Sequence, residues 1–369
     1  MRKVLFMPFL QIPSGHHQVA DALAHGLTQS DPNIQCEKID ILQYTFGKME
    51  SFISGIYLKW IHYLPEMYSK VYQLTVGGDE NVTTKRFYHY ELFFESAMET
   101  ILAEKTPNVV VCTHALPSYI LSRLKMKGTT NVTVINVYTD YFIHCLWGLE
   151  EIDYHFVPSN QLKQELVHRG VKENNIYVTG IPVHPLFYQN KKQIHEKDCK
   201  QVLVTGGSLG VGMLESFLQR LKEQDIHYYV LCGKNERLFN TVKKWGRTNI
   251  TPIPYISDRE KMNELYNMSD AIITKPGGVT ISESLFKKVP IFVYHTLPGQ
   301  EEFNFKHLNK LGLARDLQSW EREDSFEEEL IHFFTQSSSV RHYFDQLEMY
   351  HSQINKTQPA EIIAHTMEK

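Results

Sequence analysis

VLFMPFLQIPSGHHQVADALAHGL at 4–27 and VLVTGGSLGVGMLESFLQRLKE at 202–223 follow one plan, and that repetition decides the fold. Each opens with a short apolar run, passes through a glycine-containing loop and enters an amphipathic stretch. The apolar positions match in spacing: Val19, Ala20, Leu23, Ala24 and Leu27 in the first, Met213, Leu214, Phe217, Leu218 and Leu221 in the second. That spacing is helical, and the opening runs read as strands. Strand, glycine loop and helix in succession is how an open parallel sheet begins. A chain that starts the pattern twice is expected to build two such sheets.

Outward from these two starts, short apolar runs alternate with helical patterns. Strands are expected at 4–9, 109–114, 132–140 and 154–159, and again at 201–207, 227–233, 271–275 and 290–295. Stretches such as NQLKQELVHRG, with its charges on one face, supply the intervening helices. This is the signature of βαβ units with helices on both faces of each sheet. The class is therefore α/β, two Rossmann-like domains facing each other across a cleft, with ligands at the carboxyl ends of the strands. PLFYQNKKQIHEKDCK at 185–200 is polar and without periodicity. The expected division is 1–185, a linker at 186–200, a second domain at 201–337 and a helical segment at 338–369 that packs back on the first domain.

Composition agrees. A chain of 369 residues exceeds what one core usually organises. A formal net charge of −4 gives no reason to expect nucleic acid as a partner. No apolar run approaches the roughly 18–20 residues that span a bilayer. MRKVLFMPFLQIP has the basic start and short apolar run of a signal peptide, but Pro8 and Pro13 interrupt it and a glycine–histidine loop and helix follow, so a first strand is the better reading. The five cysteines, Cys36, Cys112, Cys145, Cys199 and Cys232, form no CxxC pair. They suggest neither a disulfide framework nor a zinc site, and the expected compartment is the cytoplasm.

ITKPGGVTISESL at 273–285 is the sharpest segment for chemistry. A strand ends at Lys275, Pro-Gly-Gly turns, and a helix is expected from about Thr280. Glycines let a phosphate approach the backbone, and the free N–H groups of a helix start favour its charge. The dipole alone supplies only about 0.3–1 kcal/mol, so several donors must converge on a diphosphate. Glu283 has two readings here: a capping-box partner of Thr280, or a carboxylate on the ribose hydroxyls of a nucleotide. TGGSLGVG at 205–212 imitates a dehydrogenase glycine pattern. The strand after it ends in Gly233-Lys234-Asn235, with no acid for a dinucleotide ribose, so a nicotinamide cofactor is set aside.

Four loops are expected on one sheet edge of the second half: Gly206-Gly207-Ser208, Gly233-Lys234-Asn235, Lys275-Pro276-Gly277-Gly278 and LPGQEEFN at 297–304. The last offers Gln300, Glu301 and Asn304 to sugar hydroxyls. In the first half, Ser14-Gly15-His16-His17 opens a helix at the corresponding edge. An imidazole titrates near neutrality, which makes His16 a candidate general base, though a solvated loop histidine has the same appearance in sequence. Asp140, followed by His144, is a second carboxylate–imidazole candidate, or a turn-forming residue after its strand. No Asp-x-Asp ends an apolar strand, so no metal is expected. Ser208 and Lys234 are candidate donors to the leaving group instead. FISGIYLKWIHYLPEMYSKVYQL at 52–74, with Tyr57, Trp60 and Tyr63, reads either as a buried helix pair or as an interfacial helix lying among lipid headgroups. KRFYHYELFF at 85–94 would extend that second face.

Taken together, these residues resemble a known family. GHHQVA at 15–20, VYTDYFIHCLW at 137–147, TGIPVHPLF at 179–187, VLCGKN at 230–235, ITKPGGVTISE at 273–283 and LPGQEEFN stand in the order found in the processive diacylglycerol β-glucosyltransferases and, more distantly, the monogalactosyldiacylglycerol synthases and the peptidoglycan N-acetylglucosaminyltransferase. The resemblance implies a GT-B fold and inverting, metal-independent transfer of a hexose from a UDP-sugar to a lipid such as diacylglycerol. It implies no cofactor, the UDP-sugar being a substrate, and a cytoplasmic protein peripherally attached to the cell membrane. It places Gly277, Gly278, Thr280 and Glu283 on the donor's phosphates and ribose, Gln300 and Glu301 on the transferred sugar, His16 at the reacting centre, and Asp140 near the acceptor. Where the family's first loop carries two glycines before its histidine, Pro13 and Ser14 precede Gly15 here. A residue with fixed φ and no N–H stiffens that loop. A non-hydrolysing UDP-sugar 2-epimerase or a UDP-sugar-binding regulator would share the two-domain layout.

Overall fold

The computed structural model describes residues 2–9, 14–46, 88–188, 199–207, 213–222, 225–322 and 326–368. Ser208, the aromatic segment with Tyr57, Trp60 and Tyr63, and the middle of the expected linker lie outside them. The chain divides into two units, Met1–His184 with Gln353–Lys369, and Pro185–Ser352.

The first unit runs β1 (Arg2–Met7), α1 (Gly15–Ser30), β2 (Ile34–Lys38), α2 (Ile41–Phe46), α3 (Tyr88–Lys105), β3 (Val109–Cys112), α4 (Ala115–Met126), β4 (Thr133–Val137), β5 (Tyr154–Val157), α5 (Asn160–His168) and β6 (Ile176–Val178). Its strands form a parallel sheet in the order β2-β1-β3-β4-β5-β6. From β1 the chain winds outward to β2, then returns to β3 and winds the other way. The reversal between β1 and β3 is the switch point at which such sheets bind ligands.

The second unit repeats the design with β7 (Lys200–Thr205), α6 (Leu214–Arg220), β8 (Ile226–Leu231), α7 (Glu236–Lys244), β9 (Ile250–Ile253), α8 (Arg259–Met268), β10 (Ala271–Thr274), α9 (Gly278–Phe286), β11 (Ile291–Val293), α10 (Gln300–Lys310), β12 (Arg315–Asp316), α11 (Phe326–Thr335) and α12 (Ser337–Gln353). The parallel order is β12-β11-β10-β7-β8-β9, with the switch point between β7 and β10. The return to the first unit begins at Gln353, later than Ser338. α12 stays in the second unit, where the Tyr343 hydroxyl donates to the Leu313 carbonyl at 3.1 Å. Only the closing segment returns: the Asn355 N–H bonds the Val178 carbonyl at 2.7 Å, and α13 (Pro359–Thr366) packs on α1.

Helices on both faces explain why β3 (VVVC) and β10 (AIIT) are fully buried and apolar but for the closing Thr274. Burying each such side chain contributes about 1.5–3 kcal/mol. The eight strands expected from the sequence are the inner four of each sheet, β1 among them, which settles the reading of the first residues as strand. β2, β6, β9 and β12, unanticipated, are the edges. β9 carries Pro252, which a sheet edge tolerates because one row of N–H groups has no partner strand. Among the described residues no helix is long and apolar enough to cross a membrane.

Candidate functional site

In the first unit, β1 ends at Met7 and α1 starts at Gly15, which sets His16 in the first turn at the switch point. Its Nδ1 lies 2.8 Å from the Thr113 carbonyl, just beyond β3, and 2.9 Å from the Thr139 hydroxyl, just beyond β4. A carbonyl only accepts, so Nδ1 carries the proton and Nε2 of the neutral ring keeps its lone pair. Burial holds the His16 pKa below its usual value, opposed first by the charge of Asp140 and then by the Thr113 carbonyl, while His17 adds to the depression. The ring is thus predominantly neutral at neutral pH, the form a base requires.

His114 completes the cluster. Its ring meets that of His16 edge-on at 4.9 Å and stacks on Phe9 at 4.3 Å. Its Nδ1 caps α4 by accepting the Leu116 N–H at 3.1 Å. Burial and the neighbouring His16 and His144 drive its pKa well down, so it stays neutral beside His16. Asp140 acts on both His16 and His144, opposing the burial that lowers each. The His144 Nδ1 accepts the Leu146 N–H at 3.1 Å. His16, Asp140 and His144 are therefore brought together. His114, Thr113 and Thr139 were not foreseen, although each closes or follows a strand that was. Among the described residues the buried Thr113 and Ser14 hydroxyls find no partner, so the cluster has capacity to spare for a polar ligand.

In the second unit the four expected loops leave β8, β7, β10 and β11, which are consecutive in the sheet, and parallel strands put all four at one edge. α9 begins at Gly278, two residues earlier than expected, because Gly277 is the extended N-cap. Thr280 is consequently inside the helix and the capping-box reading of Glu283 fails. Gly277, with no side chain, supplies no cap of its own to α9. Gly277 has an ordinary φ of −76° and ψ of 134°, and a Cβ there would meet none of the described residues within 4 Å. Neither backbone nor packing demands glycine. Glycine there sets no side chain of its own against the first amides of α9. Gly299, by contrast, sits at φ 89° and ψ −113°, where only glycine is comfortable.

The loops after β10 and β11 are tied together. Lys275, buried, pairs with Glu301 at 3.3 Å, and the other Glu301 oxygen accepts the Leu297 N–H at 2.7 Å. Asn304 donates to the Pro276 carbonyl at 3.0 Å. Gln300 opens α10 beside Glu301. Gly207 donates its N–H to the Thr205 hydroxyl at 3.2 Å. After β8, Gly233 turns at φ 58°, Lys234 lies over the Tyr255 ring at 5.2 Å, and Asn235 caps α7 by accepting the Leu238 N–H at 3.0 Å. Asn235 thus has a structural task in addition to the binding role expected of it. Glu283, on the second turn of α9, is 6% exposed. Burial raises its pKa to about 7, against the opposing influence of Arg259 and Tyr266.

Residues 16–183 match the family described as monogalactosyldiacylglycerol (MGDG) synthase, and residues 201–356 match the glycosyltransferase family 28 C-terminal domain. The chain is 44% identical over 345 residues to the uncharacterized glycosyltransferase YkoN of Bacillus subtilis (strain 168), covering 93% of this chain and 91% of that protein. It is 30% identical over 315 residues to a processive diacylglycerol beta-glucosyltransferase of Bacillus cereus (strain G9842), covering 82% and 78%. Among solved structures, Acinetobacter baumannii MurG superimposes with a TM-score of 0.60 at 16% identity, over 99% of each chain, which is a likeness of fold.

Proposed function

The chain belongs to glycosyltransferase family 28, and from that membership we propose that it moves a hexose, glucose first among candidates, from a UDP-sugar to a hydroxyl of diacylglycerol or a similar lipid. It is a transferase of the GT-B fold. One observation carries the proposal beyond the family: His16 is locked with Nδ1–H on a backbone carbonyl, which leaves Nε2 as the proton acceptor.

In the proposed reaction Nε2 of His16 takes the proton of the acceptor hydroxyl as its oxygen attacks the anomeric carbon. The bond from that carbon to the diphosphate breaks and UDP departs, inverting the centre. The first amides of α9, with Lys275, take the leaving group's charge, and no divalent ion is required in this reading. Asp140 stabilises the imidazolium that forms. Glu283 receives the ribose, and Gln300 and Glu301 the sugar. His144, beside Asp140, faces the acceptor. A lipid acceptor is supported by the name of the 30%-identical relative and by the N-terminal match. Leu92 and Phe93, 41% and 44% exposed on α3, suit a protein that works peripherally on the cytoplasmic membrane surface.

The test is incubation with a panel of radiolabelled UDP-sugars and diacylglycerol vesicles, followed by lipid extraction. Label should enter the lipid phase with one sugar above the others. No labelled lipid from any donor would refute the acceptor class. Asp140→Asn should cut turnover on the order of 10–100-fold. It should also move the acid limb of the pH–rate profile to lower pH, because the lost charge was holding the His16 pKa up. A limb that moved to higher pH would contradict this coupling.

A further inference from the structure

The carboxylate of Glu283 is oriented by a second helix that the sequence did not connect with it. Tyr266 on α8 donates its hydroxyl to Oε2 of Glu283 at 3.0 Å, and both residues are buried. Arg259, at the start of the same helix, approaches Oε1 at 3.6 Å, an ion pair too long for a hydrogen bond. The Tyr266 ring is held in turn by Phe187, fully buried, whose ring meets it edge-on at 5.4 Å. The two carboxylate oxygens are therefore unequal. Oε2 is fixed by a neutral donor on a packed ring, whereas Oε1 faces a loosely placed guanidinium that is one-third exposed.

A buried carboxylate in a helix interior is costly unless it is paired and hydrogen-bonded, as it is here by Arg259 and Tyr266. Glutamine or leucine would serve packing alone. The asymmetry suits a ligand that presents two adjacent hydroxyls to one oxygen while the other oxygen stays clamped. We propose that Tyr266 is the positioning residue of the donor site, holding Oε2 of Glu283 so that Oε1 is presented to the ribose diol of a uridine nucleotide, with Arg259 supplying the counter-charge. The assignment rests on the reading of Glu283 as the ribose-binding carboxylate.

The groups that act on the charge of Glu283 are Arg259 and Tyr266, both from α8. Both favour the ionised form. The carboxylate accepts from hydroxyls on both oxygens, while the protonated form must spend one oxygen on its own proton. Nucleotide binding through the diol should thus weaken as pH falls through about 7, where burial has placed this group. Removing either neighbour raises that midpoint.

Calorimetric titration of the full chain with UDP and with 2′,3′-dideoxy-UDP separates the possibilities. Tyr266→Phe should weaken UDP binding roughly tenfold, the worth of a hydrogen bond to a charged group. It should leave 2′,3′-dideoxy-UDP unchanged and move the pH midpoint upward. Arg259→Gln should move the midpoint the same way, and its partly exposed site keeps the test available if Tyr266→Phe fails to fold. Glu283→Ala is the control. If it spares UDP affinity, the ribose reading itself falls. If it weakens UDP while Tyr266→Phe and Arg259→Gln do not, or if those variants weaken both ligands equally, the positioning role falls and the ribose reading stands.

Discussion

His16→Ala should lower lipid glycosylation by roughly 10²–10⁴-fold, the range a positioned general base supplies, while UDP binds the variant as it binds the wild type. The effect runs through a single proton. Nδ1 of His16 is committed to the Thr113 carbonyl, with Thr139 in reach of the same nitrogen, so the neutral ring has its lone pair on Nε2 alone. Burial and the neighbouring His17 disfavour a second proton, and Asp140 favours one. The balance leaves the ring neutral at rest yet able to accept a proton when the acceptor oxygen attacks. His16→Asn sharpens the test, because its amide can still donate to Thr113 and preserve the local packing while offering no base. Initial rates with labelled donor and lipid, beside UDP titration, check both variants. Wild-type turnover in either would assign the base elsewhere. Loss of UDP binding in both would mean that His16 acts on the donor.

Gly277→Asp should leave the protein as stable as before, or slightly more so, and yet weaken UDP binding on the order of 100-fold. Aspartate is among the best N-cap residues, and Gly277 already has the extended φ and ψ that an N-cap adopts. The missing Cβ would meet none of the described residues within 4 Å, so the fold has no objection. The carboxylate would accept the first N–H groups of α9, which are the groups proposed to hold the diphosphate, and would set a negative charge against the ligand. Stability and binding then move in opposite directions, which a merely disruptive substitution does not do. Thermal unfolding and UDP titration on the same preparation decide it. Unchanged UDP affinity would remove the phosphate from the start of α9, and a collapse in Tm would show that the space was misjudged.

Legibility followed burial. The inner strands β1, β3, β4 and β5, and β7, β8, β10 and β11, were readable as apolar runs because helices cover both their faces. β2 is IQCEK, with Gln35 and Lys38 exposed, and β12 is only Arg315-Asp316. One open side removes the pattern that marks a strand. The glycine loops and His16 were legible for a related reason. Each follows an inner strand, so its place at the carboxyl edge of its sheet follows from strand direction alone. The early start of α9 was not, since Thr280 and Glu283 mimic a capping box and only the backbone of Gly277 excludes one.

What the residue order determined by itself was the pair of parallel sheets, the edge that carries the loops, and the kinds of group placed there: an imidazole in one unit and glycine turns in the other. Tertiary structure alone decided which atoms of those groups remain usable. The carbonyl that fixes the tautomer of His16 comes from a residue 97 positions away, and the phenol that clamps Glu283 comes from a neighbouring helix. Periodicity and spacing report which face of an element is buried. Proton location and carboxylate orientation depend on donors and acceptors that meet only after the sheets have formed, so local sequence carries no trace of them.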